Sequence, residues 1–119
     1  MNSVKESSTN FGNKQMLSAC CVEIYAINLI AGQWTLAICC ALANRKLRFG
    51  ELKKAIPNVT ERMLSLQLRK MEANGLLKRT VYAEVPSRVE YQLTSCAKEL
   101  LPIIDQLQAW GERHKKSMK

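Results

Sequence analysis

ERMLSLQLRKMEANGLLKR (61–79) and the stretch that follows it, TVYAEVPSRVEYQLT (80–94), decide the architecture of this chain. Leu64, Leu68 and Met71 stand at i, i+4 and i+7, one apolar stripe of a helix. Thr60 precedes them as an N-cap, Glu61 suits the positive end of the helix dipole, and Asn74-Gly75 supplies the stop. Leu76–Tyr82 and Arg88–Leu93 are then two runs rich in Val, Tyr and Thr. The loop AEVPS (83–87) separates them with a proline, so together they read as a β-hairpin.

Upstream, apolar residues recur helically at Val22, Ala26, Leu29 and Ile30 within Cys20–Ile30, and Gly32 breaks the run. WTLAICCALA (34–43) is apolar almost all round and is expected to be a buried helix. Asn44–Leu47 reads as a short basic turn. Phe49, Leu52 and Ile56 mark a third, short helix ended by Pro57. Downstream, Ala97, Leu100, Leu101, Ile104, Leu107 and Trp110 run along a final amphipathic helix from Ser95 to Lys115, which Pro102 is expected to kink. Residues 1–15 are polar and read as a flexible arm, 16–115 as one domain and 116–119 as a basic tail. The fold class is mainly α (α+β): four helices, a hairpin wing and a C-terminal helix. This is the winged helix-turn-helix plan, in which one helix enters the DNA major groove.

The chain has 119 residues, enough for one domain, and carries 18 Lys+Arg against 10 Asp+Glu, a net charge of +8. Residues 45–79 hold ten basic groups against Glu51, Glu61 and Glu72, so +7 of the excess lies in the middle third, where a polyanion can be held. An apolar fraction of 47% excludes intrinsic disorder for most of the chain. No 18-residue apolar run marks a membrane span, and the first twenty residues lack a signal-like apolar segment, so a cytoplasmic protein is expected. Five cysteines, an odd number, argue against a disulfide framework. There is no C-x-x-C for zinc, and adjacent cysteines on a helix point about 100° apart. No acid–base pair and no Gly-rich phosphate loop appears, so neither catalysis nor a cofactor is expected.

The chain resembles the HxlR family of winged-helix transcription regulators over about residues 20–111. The resemblance is carried by CCVE (20–23), AGQWTLAI (31–38), RFGEL (48–52), ERMLSLQLRKMEANGLLKR (61–79), YAEVPSRVEYQLT (82–94) and LLPIIDQLQAWG (100–111). It departs from the family pattern where Cys20-Cys21 replaces Cys-Pro and where Ala31-Gly32-Gln33-Trp34 replaces Gly-Gly-Lys-Trp. Leu66-Gln67 stands where two polar residues commonly follow the serine.

Independently of the resemblance, the fourth helix is composed for groove reading. Thr60, Arg62, Ser65, Gln67 and Arg69 are read on the face opposite the buried stripe, with Arg62, Ser65 and Gln67 as the best base readers. Arg88 is expected near the wing tip, backed by Lys78 and Arg79, with Glu84 and Glu90 in reach to blunt it. Arg45, Lys46 and Arg48 are candidate phosphate clamps, which set affinity without reading sequence.

The last helix has more apolar surface than so small a domain can cover, and the resemblance implies a homodimer built from the first and last helices. The alternative is that Trp110 closes its own core. In the homodimer, two recognition helices would meet half-sites about 34–36 Å apart, or a multiple of that, on a pseudo-palindrome of double-stranded DNA. The competing reading of the whole chain is a winged-helix module for protein–protein contacts. Cys39, Cys40 and Cys96 read as packing residues. Cys20, at a helix start and at the position some relatives use for thiol sensing, is the candidate redox-sensing residue.

Overall fold

A computed structural model describes residues 21–119. The flexible arm expected over 1–15, and Cys20, lie outside the described residues. Two compact units divide the chain after Ala31. In the first, α1 spans Val22–Ile30, with Cys21 at its N-cap in extended conformation. None of its residues is buried, and Val22, Tyr25 and Ile27 are all more than half exposed.

The second unit contains the remaining elements: α2 (Thr35–Ala41), α3 (Phe49–Ala55), α4 (Glu61–Ala73), β1 (Leu77–Tyr82), β2 (Arg88–Leu93), α5 (Ser95–Lys98) and α6 (Leu100–Ser117). The core joins Ile38, Cys39 and Leu42 of the α2 segment to Leu52 and Ile56. Leu64, Leu68 and Met71 join from α4, with Leu76, Leu77 and Leu93 at the base of the hairpin and Ile104 of α6. The Leu64-Leu68-Met71 stripe is thus buried as its spacing predicts.

The ends of α4 are chemically defined. Thr60 Oγ1 accepts a hydrogen bond from Met63 N at 3.1 Å. At the other end Gly75 adopts φ +77°. There Leu76 N donates to Met71 O (2.9 Å) and Gly75 N to Glu72 O (3.1 Å). That is a complete Schellman motif, with Leu76 and Met71 both buried against the same core. Thr94 then ties the hairpin closed. Its hydroxyl donates to Gly75 O (2.8 Å) and accepts from Ala97 N (3.2 Å), while its N–H donates to Leu76 O (3.1 Å).

β1 and β2 pair antiparallel with Leu77 opposite Leu93 and Tyr82 opposite Arg88. The segment read as a basic turn adds a third, one-residue rung. Leu47 N donates to Tyr91 O at 3.0 Å and Tyr91 N to Leu47 O at 2.8 Å, which anchors the start of α3 to the sheet.

Pro102 interrupts the final helix as expected, and the interruption falls one turn before it, at Glu99, dividing the helix into α5 and α6. Pro102 has no N–H to donate to the carbonyl four residues back and its ring crowds that carbonyl, so the chain restarts its helix one turn earlier. Pro102 then occupies a first-turn position where no donor is needed. The helix also runs on to Ser117, taking in part of the expected tail. The second helix is not buried all round: Thr35, Ile38 and Cys39 are buried, whereas Cys40 is exposed, as is Cys96 on α5. A four-residue helix and a seven-residue one each have an outer face, and these two thiols fall on it. Finally, the apolar residues of α6 divide. Leu100 and Ile104 pack on the core, while Ile103, Leu107 and Trp110 stand at i, i+4, i+7 and are 47–57% exposed. Trp110 does not close its own core; it stacks on His114 with ring centroids 5.3 Å apart.

Candidate nucleic-acid interface

The outward face of α4 follows from its buried one. At about 100° per residue, positions 62, 66, 69 and 73 lie opposite the Leu64-Leu68-Met71 stripe, and 65 and 67 lie on its two flanks. Arg62, Leu66 and Arg69 are accordingly exposed, and Ser65 is half-buried. Gln67 was expected to face outward and does not. It is half-buried, and its Nε2 donates to Thr35 Oγ1 at 2.8 Å. Thr35 is the only buried polar residue among the described ones, at 2% exposure, so this bond satisfies a hydroxyl that would otherwise be stranded. The signal was present in the sequence: position 67 is only about 60° from the stripe.

Between α4 and the hairpin lies an open cleft of about 440 Å³ lined by Ser65, Leu68, Arg69, Glu72, Arg79 and Tyr91. Arg69 and Arg79 bring positive charge to it from two elements, and Glu72 holds Arg79 at 3.6 Å. Both partners of that pair are more than 40% exposed, so it restrains Arg79 only weakly. At the entry of α4, Thr60 is exposed with its oxygen in the cap. At the entry of α3, Arg48 N donates to Glu51 Oε1 (2.8 Å), which orders the turn while the Arg48 side chain stays exposed. Arg45 Nε donates to Ala41 O at 2.9 Å, capping the end of α2.

The wing is built differently from a free basic tip. Arg88 sits at the last rung of the hairpin with its guanidinium 4.0 Å above the Tyr82 ring. Its Nη atoms meet Glu84 Oε2 at 3.1 Å and Glu90 Oε2 at 3.7 Å. One arginine faces two carboxylates, so the tip carries a local charge of −1. Val85, in the loop, is fully exposed.

Of the cysteines, Cys39 is inert at neutral pH: burial, then the neighbouring Cys40, pushes its thiol from 9.0 up to about 11. Among the described residues no group of three or more His, Cys, Asp or Glu is placed to hold a metal. No single described helix is long and apolar enough to cross a membrane.

The HxlR-like helix-turn-helix family model matches residues 29–119, a span that takes in every element from α2 to α6. The chain belongs to the HxlR-like helix-turn-helix family. A protein of Methanothermobacter thermautotrophicus named as an HTH-type transcriptional regulator is 44% identical over 108 residues, covering 91% of this chain and 80% of the relative. Among solved structures, the redox regulator HypR in its reduced form superposes with a TM-score of 0.73 at 38% identity, over 79% of this chain and 93% of that one. The reduced form of the transcriptional regulator YodB from Bacillus subtilis gives 0.69 at 30% identity, over 75% and 87%. The HxlR-like fold is therefore a winged helix-turn-helix, with α3 and α4 as the helix-turn-helix and β1-β2 as the wing.

Proposed function

We propose that this HxlR-like protein is a cytoplasmic, non-enzymatic transcription regulator that binds double-stranded DNA by sequence as a two-fold homodimer. The observation that carries the reading is the outer face of α4: Arg62 and Arg69 exposed on a helix whose opposite stripe is locked into the core, beside a cleft edged by Arg79. Arg62 is the base reader, since an arginine near the start of such a helix reaches guanine O6 and N7 with two donors. Ser65, Arg69, Arg79 and Thr60 line the path of a backbone, and Arg48 lies on the same chain segment as a phosphate contact. Ile103, Leu107 and Trp110 on α6, with the exposed apolar side chains of α1, supply the homodimer surface. Redox control through Cys20 is proposed on the strength of HypR, whose name describes a redox regulator.

The test is fluorescence anisotropy with the duplex upstream of the protein's own gene and a scrambled duplex, across a salt series, with and without a thiol oxidant. Selective binding to the upstream duplex, with an oxidant effect that vanishes in Cys20→Ser, is expected. Equal binding to both duplexes at every salt concentration contradicts sequence reading. Sedimentation of Leu107→Glu is expected to give a monomer with unchanged helix content.

A further inference from the structure

We infer that Leu66 reads thymine, its side chain packing on the C5-methyl group of a T·A pair in the major groove, so that this methyl is a specificity determinant of each half-site. The inference rests on the DNA-binding reading above and adds the chemistry of the base. Leu66 is 54% exposed and Met63, three residues before it, is 39% exposed. Both lie on α4 between the exposed cations Arg62, Arg69 and Lys70. The outer face of α4 thus exposes an apolar side chain inside a positive field.

This surface suits an occupant that is anionic at large and apolar at one point. Duplex DNA has both: phosphates flank the groove, and the thymine methyl is the apolar group on the edges of the four standard bases there. Leucine has no hydrogen-bonding atom, so it cannot register any other feature of a base edge. Four residues of helix rise about 6 Å, which places the thymine within roughly two base pairs of the base met by Arg62. Gln67, the adjacent polar residue that would otherwise compete for the base, is engaged by Thr35 at 2.8 Å.

The experiment uses the full chain. A duplex is selected from a randomised pool, and each thymine is replaced in turn by deoxyuridine, which removes only the methyl. Wild type is expected to lose about four-fold in affinity at one thymine per half-site, the effect of exposing one buried carbon, with an unchanged salt slope. Leu66→Ala, whose circular dichroism should match wild type because the site is exposed, is expected to bind the thymine and deoxyuridine duplexes equally. Leu66→Gln is expected to select a different base at that position. If every deoxyuridine duplex binds wild type within 1.5-fold of its parent, or if Leu66→Ala retains the methyl effect in full, the inference is overturned while DNA reading stands. A pool that yields no enriched duplex overturns both.

Discussion

Removing the two carboxylates that face Arg88 should turn the wing from a bystander into a DNA contact. Arg88 lies 3.1 Å from Glu84 and 3.7 Å from Glu90, with its side chain 29% exposed. The three charges sum to −1, so the tip as it stands repels phosphate slightly. In Glu84→Gln/Glu90→Gln the tip becomes +1 and Arg88 is free to meet a phosphate. One additional phosphate contact steepens the slope of log K against log salt by about 0.9 per protomer, which extrapolated from 1 M salt amounts to roughly five-fold at 0.15 M. The loss of two partly exposed ion pairs costs the hairpin at most about 1 kcal/mol each, readable separately by urea denaturation. Because removing acidic groups also relieves repulsion that has nothing to do with Arg88, the assay is a cycle: Arg88→Ala in the wild-type and in the double-glutamine background, each titrated by anisotropy at four salt concentrations. The structure predicts that Arg88→Ala changes affinity less than two-fold in the wild type. In the double-glutamine background it should abolish a gain of about five-fold per protomer, roughly 30-fold for the homodimer with its two wings, and the extra slope. If Arg88→Ala removes a full phosphate contact from the wild type, Arg88 leaves its carboxylates on binding, and the reasoning from its resting geometry is refuted.

Other consequences are more local. Gly75→Ala should destabilise the fold by about 1–2 kcal/mol in urea, since φ is +77° while no atom within 4 Å would meet the new Cβ; Gly75→Asn should cost less. Gln67→Ala should lower stability by about 1–2 kcal/mol by stranding the buried Thr35 hydroxyl, yet leave the base preference of selected duplexes unchanged. The raised Cys39 thiol favours the neutral form in the folded state, so its contribution is fully present below pH 9 and is lost as pH climbs from 9 towards 11. Stability at pH 10 should therefore fall about 1 kcal/mol less in Cys39→Ala than in wild type, each relative to its own value at pH 8. At pH 8 an alkylating reagent should label Cys40 and Cys96 well before Cys39.

Local chemistry made much of this fold legible. Thr60, Gly75 and the Leu64-Leu68-Met71 spacing each state a requirement of the backbone or of burial that neighbouring residues cannot overrule, and all three are met. The hairpin likewise follows from two β-rich runs around a proline loop. What escaped has no local signature. A single rung such as Leu47–Tyr91 shows no periodicity, because one residue cannot alternate. The division of α6 into an inward and an outward apolar edge depends on where α6 meets the core, a tertiary fact. The interruption that Pro102 announces falls at Glu99, and that place was within reach, since a proline disturbs the turn before it. So was Gln67, whose angle to the stripe puts it on a flank. In the interface the cations were readable, and so was the pairing of Arg88 with Glu84 and Glu90; the Tyr82 ring beneath Arg88 and the weak pairing of Arg79 with Glu72 depend on hairpin register and on how α4 meets β1, and were not.

If α4 reads sequence while the turn before α3 supplies only affinity, Arg62→Ala and Arg48→Ala must differ in kind. The quantity to measure is the ratio of affinities for a selected duplex and a scrambled one at 0.15 M salt. Arg62→Ala should lower that ratio about 10-fold or more, by removing a bidentate base contact. Arg48→Ala should weaken both duplexes equally and reduce the salt slope by about one per protomer, leaving the ratio intact. If the two variants weaken both duplexes to the same extent, α4 is a charged surface and not a reader of sequence.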